Sequence, residues 1–315
     1  MTILPQVIAN CILTAVQTLV RHLNTSQLFF NSVIAASVYA LVGVGFSVTY
    51  GTLRFFDFTQ AVIFTVGAYF SFVFATCLQL PLLLAVLLAI AANALFGVGV
   101  HTVFSLRLRK RGASPLVLLL ASMGLYVLLQ NGLSLIFGDH IRSIRPGVVQ
   151  EGFHVMGARI TGTQFLTIAC CTVILAVVSL ALRKTSLGKA IRAVANSPAL
   201  AEMCGIRSER VVVACFAMSS ALAAVAGILV ALDVDMTPTM GMKPFMMGVV
   251  AVIIGGVDSI PGIALGALLL AMAQQFGVWK ISSQWQDAIA FAVLLVFLIF
   301  RPQGFFGKKI KKATV

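Results

Sequence analysis

Charged residues are scarce in this sequence. They make up 10% of its 315 residues, whereas 60% are hydrophobic and the mean hydropathy is +1.05. A soluble domain is roughly a quarter charged, so this composition excludes an ordinary soluble globular fold. The apolar runs are about 20 residues long and do not alternate polar with apolar residues, which predicts membrane-spanning helices with lipid as their main solvent.

The motifs of common enzyme classes are also missing. The sequence contains no GxxxxGK[ST], HExxH or GxSxG, so it lacks a P-loop for ATP, a zinc-protease helix and a hydrolase nucleophile elbow. Its four histidines are scattered, and its six cysteines form no CxxC pair and are expected to be small buried hydrophobic residues. We therefore expect no catalytic site, no metal site and no cofactor in this chain, and passage of a solute across the membrane is the favoured class of function. An intramembrane enzyme and a binding-only or structural membrane protein are the alternatives.

Basic residues are distributed unequally between the two predicted sides of the membrane. The formal net charge is +13, and the charges fall in the connections between apolar runs, which argues against nucleic acid as a partner. If the connection with Arg107, Arg109, Lys110 and Arg111 faces inward, the two sides hold 16 and 6 of the 22 Lys and Arg residues. The positive-inside rule then places Thr185–Arg210 and the C-terminus in the cytoplasm.

Seven apolar runs are predicted to cross the membrane as full spans: Leu28–Tyr50, Phe56–Leu78, Leu82–Leu106, Pro115–Phe137, Thr163–Leu182, Val211–Leu232 and Trp285–Phe300. An eighth run, Leu4–Val20, either spans or lies at the interface. The tract Pro244–Gly277 has 34 residues and is interrupted by GGVDSIPG at Gly255–Gly262. Two full spans need about 40 residues plus a turn, so at least one arm is short and the pair is discontinuous or re-entrant.

The predicted fold is an all-helical, polytopic transmembrane bundle of about eight to nine segments, with a broken or re-entrant pair and cytoplasmic coupling helices. Residues 1–27 are the N-terminal segment, interfacial or spanning. Residues 28–307 are the transmembrane domain, with a cytoplasmic loop at 185–210, and residues 308–315 are a basic cytoplasmic tail.

One stretch between apolar runs, Thr185–Arg210, is too polar to lie in lipid. Ser197-Pro198 is typical of a helix N-cap followed by proline at the first helical position, and Gly205 lies where a left-handed helix stop belongs. The pattern predicts two short helices, Leu187–Asn196 and Pro198–Cys204. The stretch is either a plain connecting loop or a docking element through which a soluble partner moves the membrane domain.

A second polar group begins the second span, where Asp57, Thr59 and Gln60 follow Arg54. Ionisable groups at membrane depth are expensive and are candidates for function. We therefore predict that these three residues, together with Gly255, Gly256 and Asp258 of the break, lie near a substrate pathway. The alternative is that Arg54 and Asp57 form an ion pair at the membrane edge.

Several blocks resemble one known family. They are NSVIAASVYALVGVGFSVTYGTLRFFDF at Asn31–Phe58, RGASPLVLLLASMGLYVLLQN at Arg111–Asn131, LGKAIRAVANSPALAEMCGI at Leu187–Ile206, GMKPFMMGVVAVIIGGVDSIPGIALGALL at Gly241–Leu269, and RPQGFFG at Arg301–Gly307. These blocks are similar to the branched-chain amino acid ABC transporter permeases of the high-affinity H-subunit type. The resemblance covers nearly the whole chain after Gln27.

The resemblance implies a working arrangement in the bacterial inner membrane. A second, homologous permease subunit would pair with this chain, two ATP-binding subunits carrying ATP and Mg would dock below, and a periplasmic substrate-binding protein would deliver the cargo. Leu187–Ile206 would be the docking site for an ATPase. The residues proposed for this coupling are Gly188, Lys189, Arg192, Ala193, Asn196, Ala201 and Gly205.

The sequence also departs from the family pattern. Where the family usually shows NFAHGE after its first span, Gln60 replaces the histidine and Val62 replaces the acid; in the coupling loop Asn196 replaces an acid. The expected cargo is a branched-chain or related amino acid, and the alternative is urea or a short amide. An ion-coupled secondary transporter, with Asp57 and Asp258 as its acid relay, is the rival mechanism.

Overall fold

The computed structural model describes residues 3–144, 152–155, 158–280, 282–301 and 304–306, with only the backbone for residues 3–24, 152, 154, 155, 158 and 280. The main helices are α1 Ile3–Leu53, α2 Thr59–Phe72, α3 Leu82–Val100, α4 Leu106–Lys110, α5 Pro115–Phe137, α6 Gly162–Lys184, α7 Ser186–Asn196, α8 Pro198–Met203, α9 Ser208–Asp233, α10 Met242–Gly255, α11 Ile260–Lys280 and α12 Gln286–Phe300. Two short strands, β1 Gly152–Val155 and β2 Ala158–Thr161, pair antiparallel before α6.

Eight helical segments of the described chain are long and apolar enough to cross a membrane, as the composition predicts. Each of the seven predicted full spans is confirmed, with ends that agree within four residues. The third span is longer than predicted because a π-helical turn, His101–Ser105, joins α3 to α4 without a break. A similar π-helical turn, Val73–Cys77, extends α2.

The broken pair has the short arm that its length demands. Helix α10 has 14 residues, or about 21 Å of helix at 1.5 Å per residue, which is less than the roughly 30 Å of a bilayer core. The other arm is a full span, Ile260–Trp279. The described chain therefore carries eight spanning segments and one short apolar helix.

Helix α1 has 51 residues and runs through position 27, the predicted end of the N-terminal segment, without interruption. Its membrane-spanning part is Thr25–Leu53. This part lies at the centre of the bundle, where it packs against α9, α10 and α11. Small residues allow the close approach: a Cβ added to Gly43 would lie 3.0 Å from the carbonyl oxygen of Gly248, at the crossing of α1 and α10.

The outer faces of several spans are apolar and exposed in the isolated chain. Only 6% of the spanning window that ends with α12 is buried, and the value is 17% for both α5 and α6. Leu135, Ile136 and Phe300 are among the most exposed large side chains. In a bilayer these faces are covered by lipid or by another subunit.

The predicted cytoplasmic connections meet at one end of the bundle. Arg54, which follows α1, donates from Nη2 to the carbonyl oxygen of Ala195 at 2.9 Å. Lys110, the last residue of α4, and Glu209, in the first turn of α9, form an ion pair of 3.0 Å between Nζ and Oε1. Connections that are predicted to face the same side of the membrane therefore lie at the same end of the bundle, as expected if the chain changes side with every span.

The predicted outer connections meet at the other end. Gln27 of α1 accepts at Oε1 a hydrogen bond of 2.8 Å from the backbone N–H of Arg159 in β2. Lys243 and Asp287, near the starts of α10 and α12, form an ion pair of 3.2 Å between Nζ and Oδ1. The hairpin of β1 and β2 is thus attached to α1 at the predicted outer end of its membrane-spanning part.

Candidate coupling site and translocation pathway

The coupling stretch folds as the local rules predict. Helices α7 and α8 agree with the predicted helices to within one residue at each end. The Oγ of Ser197 accepts from the backbone N–H of Leu200 at 3.4 Å, and Pro198 takes the first helical position. Gly205 has a φ of +82°, a left-handed conformation that favours glycine.

One face of α7 is buried in the bundle. Ile191 and Val194 belong to a hydrophobic cluster with Val48 of α1 and with Val211 and Cys215 of α9. Helix α7 is therefore packed on the predicted cytoplasmic ends of two central spans, α1 and α9.

Two further contacts fix α7 to the end of α6. Gly188 lies so close to Leu182 that an added Cβ would overlap the backbone of Leu182. Arg192 donates from Nη1 to the carbonyl oxygen of Leu182 at 2.6 Å. This carbonyl is among the last four of α6, which have no partner within the helix, so Arg192 completes the end of that helix.

The predicted coupling residues divide into two groups. Gly188 and Ala201 are buried and Ala193 is half-buried, so these three position the element. Lys189, Arg192, Asn196 and Gly205 are exposed.

Large apolar side chains accompany the exposed group, which the sequence reasoning did not include. Leu187, Leu200 and Met203 are 59%, 63% and 84% exposed at the predicted cytoplasmic end. Exposed apolar residues next to charged ones are typical of a surface that binds a protein partner.

A cavity of about 220 Å³ separates α7 from the broken pair. Its walls include Arg183 of α6, Arg192 of α7, and Ser47 and Gly51 of α1. On the opposite side it is lined by the break itself, through Val257–Pro261. The structure thus brings Asp258, a predicted pathway residue, to the coupling element.

The break has a defined backbone geometry. Helix α10 ends at Gly255, and Gly256 has a φ of +97°, which lies in the region that favours glycine. Ser47 of α1 donates to the carbonyl oxygen of Val257 at 2.5 Å. A Cβ added to Gly255 would overlap the backbone of Gly262, so the two arms touch here backbone to backbone.

The C-terminal segment completes the end of α10. The backbone N–H groups of Phe305 and Phe306 donate to the carbonyl oxygens of Ile254 and Gly255, at 2.9 and 3.2 Å. These carbonyls have no partner within α10, because they lie in its last turn. The block RPQGFFG resembles the family, but nothing in its sequence predicts this contact with α10.

The Asp57 group is buried elsewhere in the bundle. Asp57 is 2% exposed, and its Oδ1 accepts from the backbone N–H and the Oγ1 of Thr59, at 3.0 and 2.6 Å. Its Oδ2 has no hydrogen-bond partner among the described residues. Burial raises the pKa of this carboxyl, and the two hydrogen bonds from Thr59 oppose the shift. Arg54 donates to Ala195 instead, so the alternative of an Arg54–Asp57 ion pair is wrong.

Gln60 is held in the core rather than presented to the cavity beside the break. It is 1% exposed, and its Nε2 donates to the Oγ and, at 3.2 Å, to the carbonyl oxygen of Ser219 in α9. Ser219 in turn donates to the carbonyl oxygen of Gly45 at 2.8 Å. The structure therefore separates Asp57, Thr59 and Gln60 from the cavity that Asp258 lines.

Asn93 is a buried polar residue that the sequence reasoning missed. Its Nδ2 donates to the carbonyl oxygens of Ile63 in α2 and Ser220 in α9, at 3.2 and 2.9 Å. The available signal was an amide in the middle of an apolar span, because such groups pair across helices. Asn93 joins three helices in the core.

Comparisons with known proteins agree with this architecture. Residues 28–298 match the family model described as branched-chain amino acid transport system / permease component. The chain is 30% identical over 295 residues to the high-affinity branched-chain amino acid transport system permease protein BraD of Pseudomonas aeruginosa, with 90% of this chain and 95% of that protein covered. The corresponding protein LivH of Escherichia coli is 27% identical over the same lengths.

An archaeal protein is also similar. The probable branched-chain amino acid transport permease protein LivH of Methanocaldococcus jannaschii is 26% identical over 317 residues, which cover 94% of this chain and 98% of that protein. Residues 28–298, which match the family model, include the stretch between α6 and α9 and all of the spanning helices except the first three residues of the first span and the last two of the last. This polytopic helical chain therefore belongs to the family of branched-chain amino acid transport system permease components.

Proposed function

We propose that this permease imports branched-chain or related aliphatic amino acids, powered by separate ATP-binding subunits that dock on α7 and α8. The observation that carries the proposal is the construction of this element. It is anchored inward on α1, α6 and α9, and on its exposed surface it carries Leu200 and Met203 of α8 and Lys189 of α7. An apolar centre with a charged neighbour favours a protein partner and gives it orientation.

The proposed assembly places this chain in a bacterial inner membrane with its C-terminus in the cytoplasm. It holds a second homologous permease subunit, two ATP-binding subunits with ATP and Mg, and a periplasmic substrate-binding protein. The 16-to-6 distribution of Lys and Arg supports this orientation.

The proposed mechanism is alternating access driven from the cytoplasmic end. Movement of the ATPases displaces α7, and its contacts with Leu182 and Val48 pass the displacement to α6 and α1. The cavity between Arg192 and Asp258 provides room for α7 to move against the break. We place Gly255, Gly256 and Asp258 at the inner end of the pathway, and Asp57, Thr59 and Gln60 deeper in the bundle.

Docking is tested by copurification. Met203→Glu in the coexpressed importer is expected to reduce the ATP-binding subunit recovered with this chain by at least about tenfold, because it places a charge in an apolar contact. Ile141→Glu is the matched control, since Ile141 is 68% exposed at the outer end. Equal recovery of the ATPase with both variants would refute docking on α8.

The cargo and the driving force are tested by uptake into proteoliposomes that contain the complete importer. Leucine uptake that requires internal ATP is the expected result. Uptake of urea or a short amide instead of leucine would replace the proposed cargo. Uptake that continues without ATP and follows an ion gradient would replace the proposed mechanism.

The pathway residues are tested with Asp57→Ala and Asp258→Ala in importers that still assemble. We expect slower uptake in both, the first through loss of a buried carboxylate and the second through a change in the cavity beside α7. Normal uptake by both variants would remove these residues from the pathway.

A further inference from the structure

A second cavity, of about 410 Å³, lies between the outer ends of α1, α6 and α9, next to the start of α10. It is formed by segments far apart in the sequence, and Pro244 of α10 contributes to its wall. Its volume is within the range of small-molecule sites, roughly 300–1,000 Å³. Because it lies at the end opposite α7, it is on the side from which the cargo of an importer arrives.

One end of this outer cavity is polar and carries a single acid. Asp233, the last residue of α9, lines it together with Gln164 and Asn31. Asp233 Oδ1 accepts from the Oγ1 of Thr163 at 3.4 Å, and Gln164 also hydrogen-bonds to this carboxylate.

Among the residues that the structure describes, this carboxylate has no basic partner within ion-pair distance. The ion pairs of the described residues are Lys110–Glu209 and Lys243–Asp287, and neither includes Asp233. A half-buried carboxylate without a counter-charge attracts a cation. In a chain with a net charge of +13, its presence in a cavity indicates recognition of a positively charged group.

The remaining wall is mainly aliphatic, with Tyr39 and Thr167 as its polar members. Its aliphatic part is formed by Ile34, Ala35 and Val38 on α1 and by Leu229 and Val230 on α9. Such a surface accepts a hydrocarbon side chain, because burying its CH₂ groups removes apolar area from water. The cavity therefore combines an anionic end with a branched-aliphatic wall.

A donor for a carboxylate is also present. Gln27 donates from Nε2 to the Oδ1 of Asn31 at 3.2 Å, so the Asn31 amide offers its nitrogen as a hydrogen-bond donor. Asn31 and Asp233 line the same cavity from different helices. An α-amino acid carries the complementary set of groups: an ammonium, a carboxylate and a side chain.

We propose that the outer cavity is an entry site for a zwitterionic aliphatic α-amino acid, whose ammonium binds Asp233, whose carboxylate binds Asn31, and whose side chain packs on Ala35 and Val38. This inference rests on the proposed function and names the residues that recognise the cargo on the outer side. Urea and short amides lack both the cation and the branched side chain that this site selects.

The charge contact is tested with Asp233→Asn in the complete importer, using radiolabelled leucine and saturating binding protein. Hydrogen bonds to charged groups contribute about 1.5–3 kcal/mol, so leucine uptake is expected to fall by at least about tenfold. Asp233→Glu keeps the carboxylate and is expected to retain most of the uptake. Asp235→Asn, at an exposed aspartate two residues away, is the matched control and should leave uptake within about twofold.

The aliphatic wall is tested with Ala35→Leu, which fills the cavity without adding charge. We expect leucine uptake to fall by about tenfold and alanine uptake to change much less, because the smaller cargo still fits. Ala176→Leu makes the same change at an exposed position of α6 and should alter neither. Copurification with the ATPase and its ATP hydrolysis verify that each variant assembles.

The outcomes separate the two proposals. If the wild type imports leucine but Asp233→Asn and Ala35→Leu keep wild-type rates for both cargoes, the entry site is wrong and the proposed function stands. If the wild type imports no α-amino acid, the proposed function and the entry site both fail. An equal loss of leucine and alanine uptake in Ala35→Leu would overturn the assignment of the aliphatic wall.

Discussion

The contact between α7 and α6 at Gly188 predicts a strong effect from one methyl group. A Cβ added to Gly188 would lie 2.6 Å from the carbonyl carbon of Leu182, which is about 0.8 Å short of the 3.4 Å where ordinary van der Waals contact begins. The neighbouring atoms belong to the backbone of α6, so no side-chain rotation relieves the overlap. In Gly188→Ala, α7 must therefore move away from α6.

The magnitude follows from the cost of overpacking. Extra methylene groups in a packed site cost about 1–3 kcal/mol. If α7 transmits the movement of the ATPases, this cost reduces the coupling free energy between the ATPases and the membrane helices. A reduction of about 1–3 kcal/mol changes the coupled equilibrium by about 5–150-fold. The hydrogen bond of 2.6 Å from Arg192 to Leu182 would lengthen at the same time. We therefore expect at least about fivefold less leucine uptake per ATP hydrolysed.

The assay compares leucine uptake and ATP hydrolysis in proteoliposomes that contain the complete importer. Gly124→Ala is the matched control, because it adds the same methyl group to a helix where, apart from the local helix backbone, no atom lies within 4 Å of the new Cβ. The ratio of uptake to hydrolysis should fall for Gly188→Ala and stay constant for Gly124→Ala. A wild-type ratio in Gly188→Ala would refute the argument that α7 transmits movement through α6.

Three further predictions concern the core, the break and the coupling helices. Asn93→Leu removes two hydrogen bonds between helices, so it should reduce the free energy of unfolding by about 1–3 kcal/mol and lower the midpoint of thermal unfolding in detergent. Asn131→Leu changes an exposed amide that bonds within its own helix and should leave the midpoint unchanged. Equal midpoints for the two variants would contradict the core role of Asn93. Truncation of residues 304–315 leaves the last carbonyls of α10 without donors and should lower both the unfolding midpoint and uptake. Truncation of residues 308–315 retains these donors and should change neither quantity. Identical behaviour of the two truncations would argue against the cap. Ser197→Ala removes the cap of α8 at a cost of about 1 kcal/mol, and recovery of the ATPase on copurification should decrease, with unchanged recovery as the contrary result.

Local rules account for what was predicted correctly about the coupling stretch. Ser197 caps α8 with its own side chain, and Gly205 ends the element with a positive φ; both effects involve only neighbouring residues. The short arm of the broken pair follows in the same way from counting residues against bilayer thickness. The family was also predictable, because several blocks of sequence match it in order.

Contacts between distant segments account for what was not predicted. Arg54 and Asp57 are close in sequence, which suggested an ion pair between them. Arg54 instead donates a hydrogen bond to Ala195, 141 residues away. Gln60, a predicted pathway residue, is taken up by a hydrogen-bond network with Ser219. No spacing rule indicates these partners, since every apolar helix offers similar faces to its neighbours.

The sequence by itself determined that this is a polytopic membrane protein, where its seven full spans lie to within four residues, and which family it belongs to, because hydrophobic length, capping and glycine conformation act locally. The tertiary structure alone decided that Gly188 and Arg192 fix α7 to α6, that Phe305 and Phe306 complete α10, and that Asp233 lies with aliphatic residues of α1 and α9 in one outer cavity. These features depend on which helices pack together, and that choice is made by shape and small-residue contacts between helices far apart in the chain.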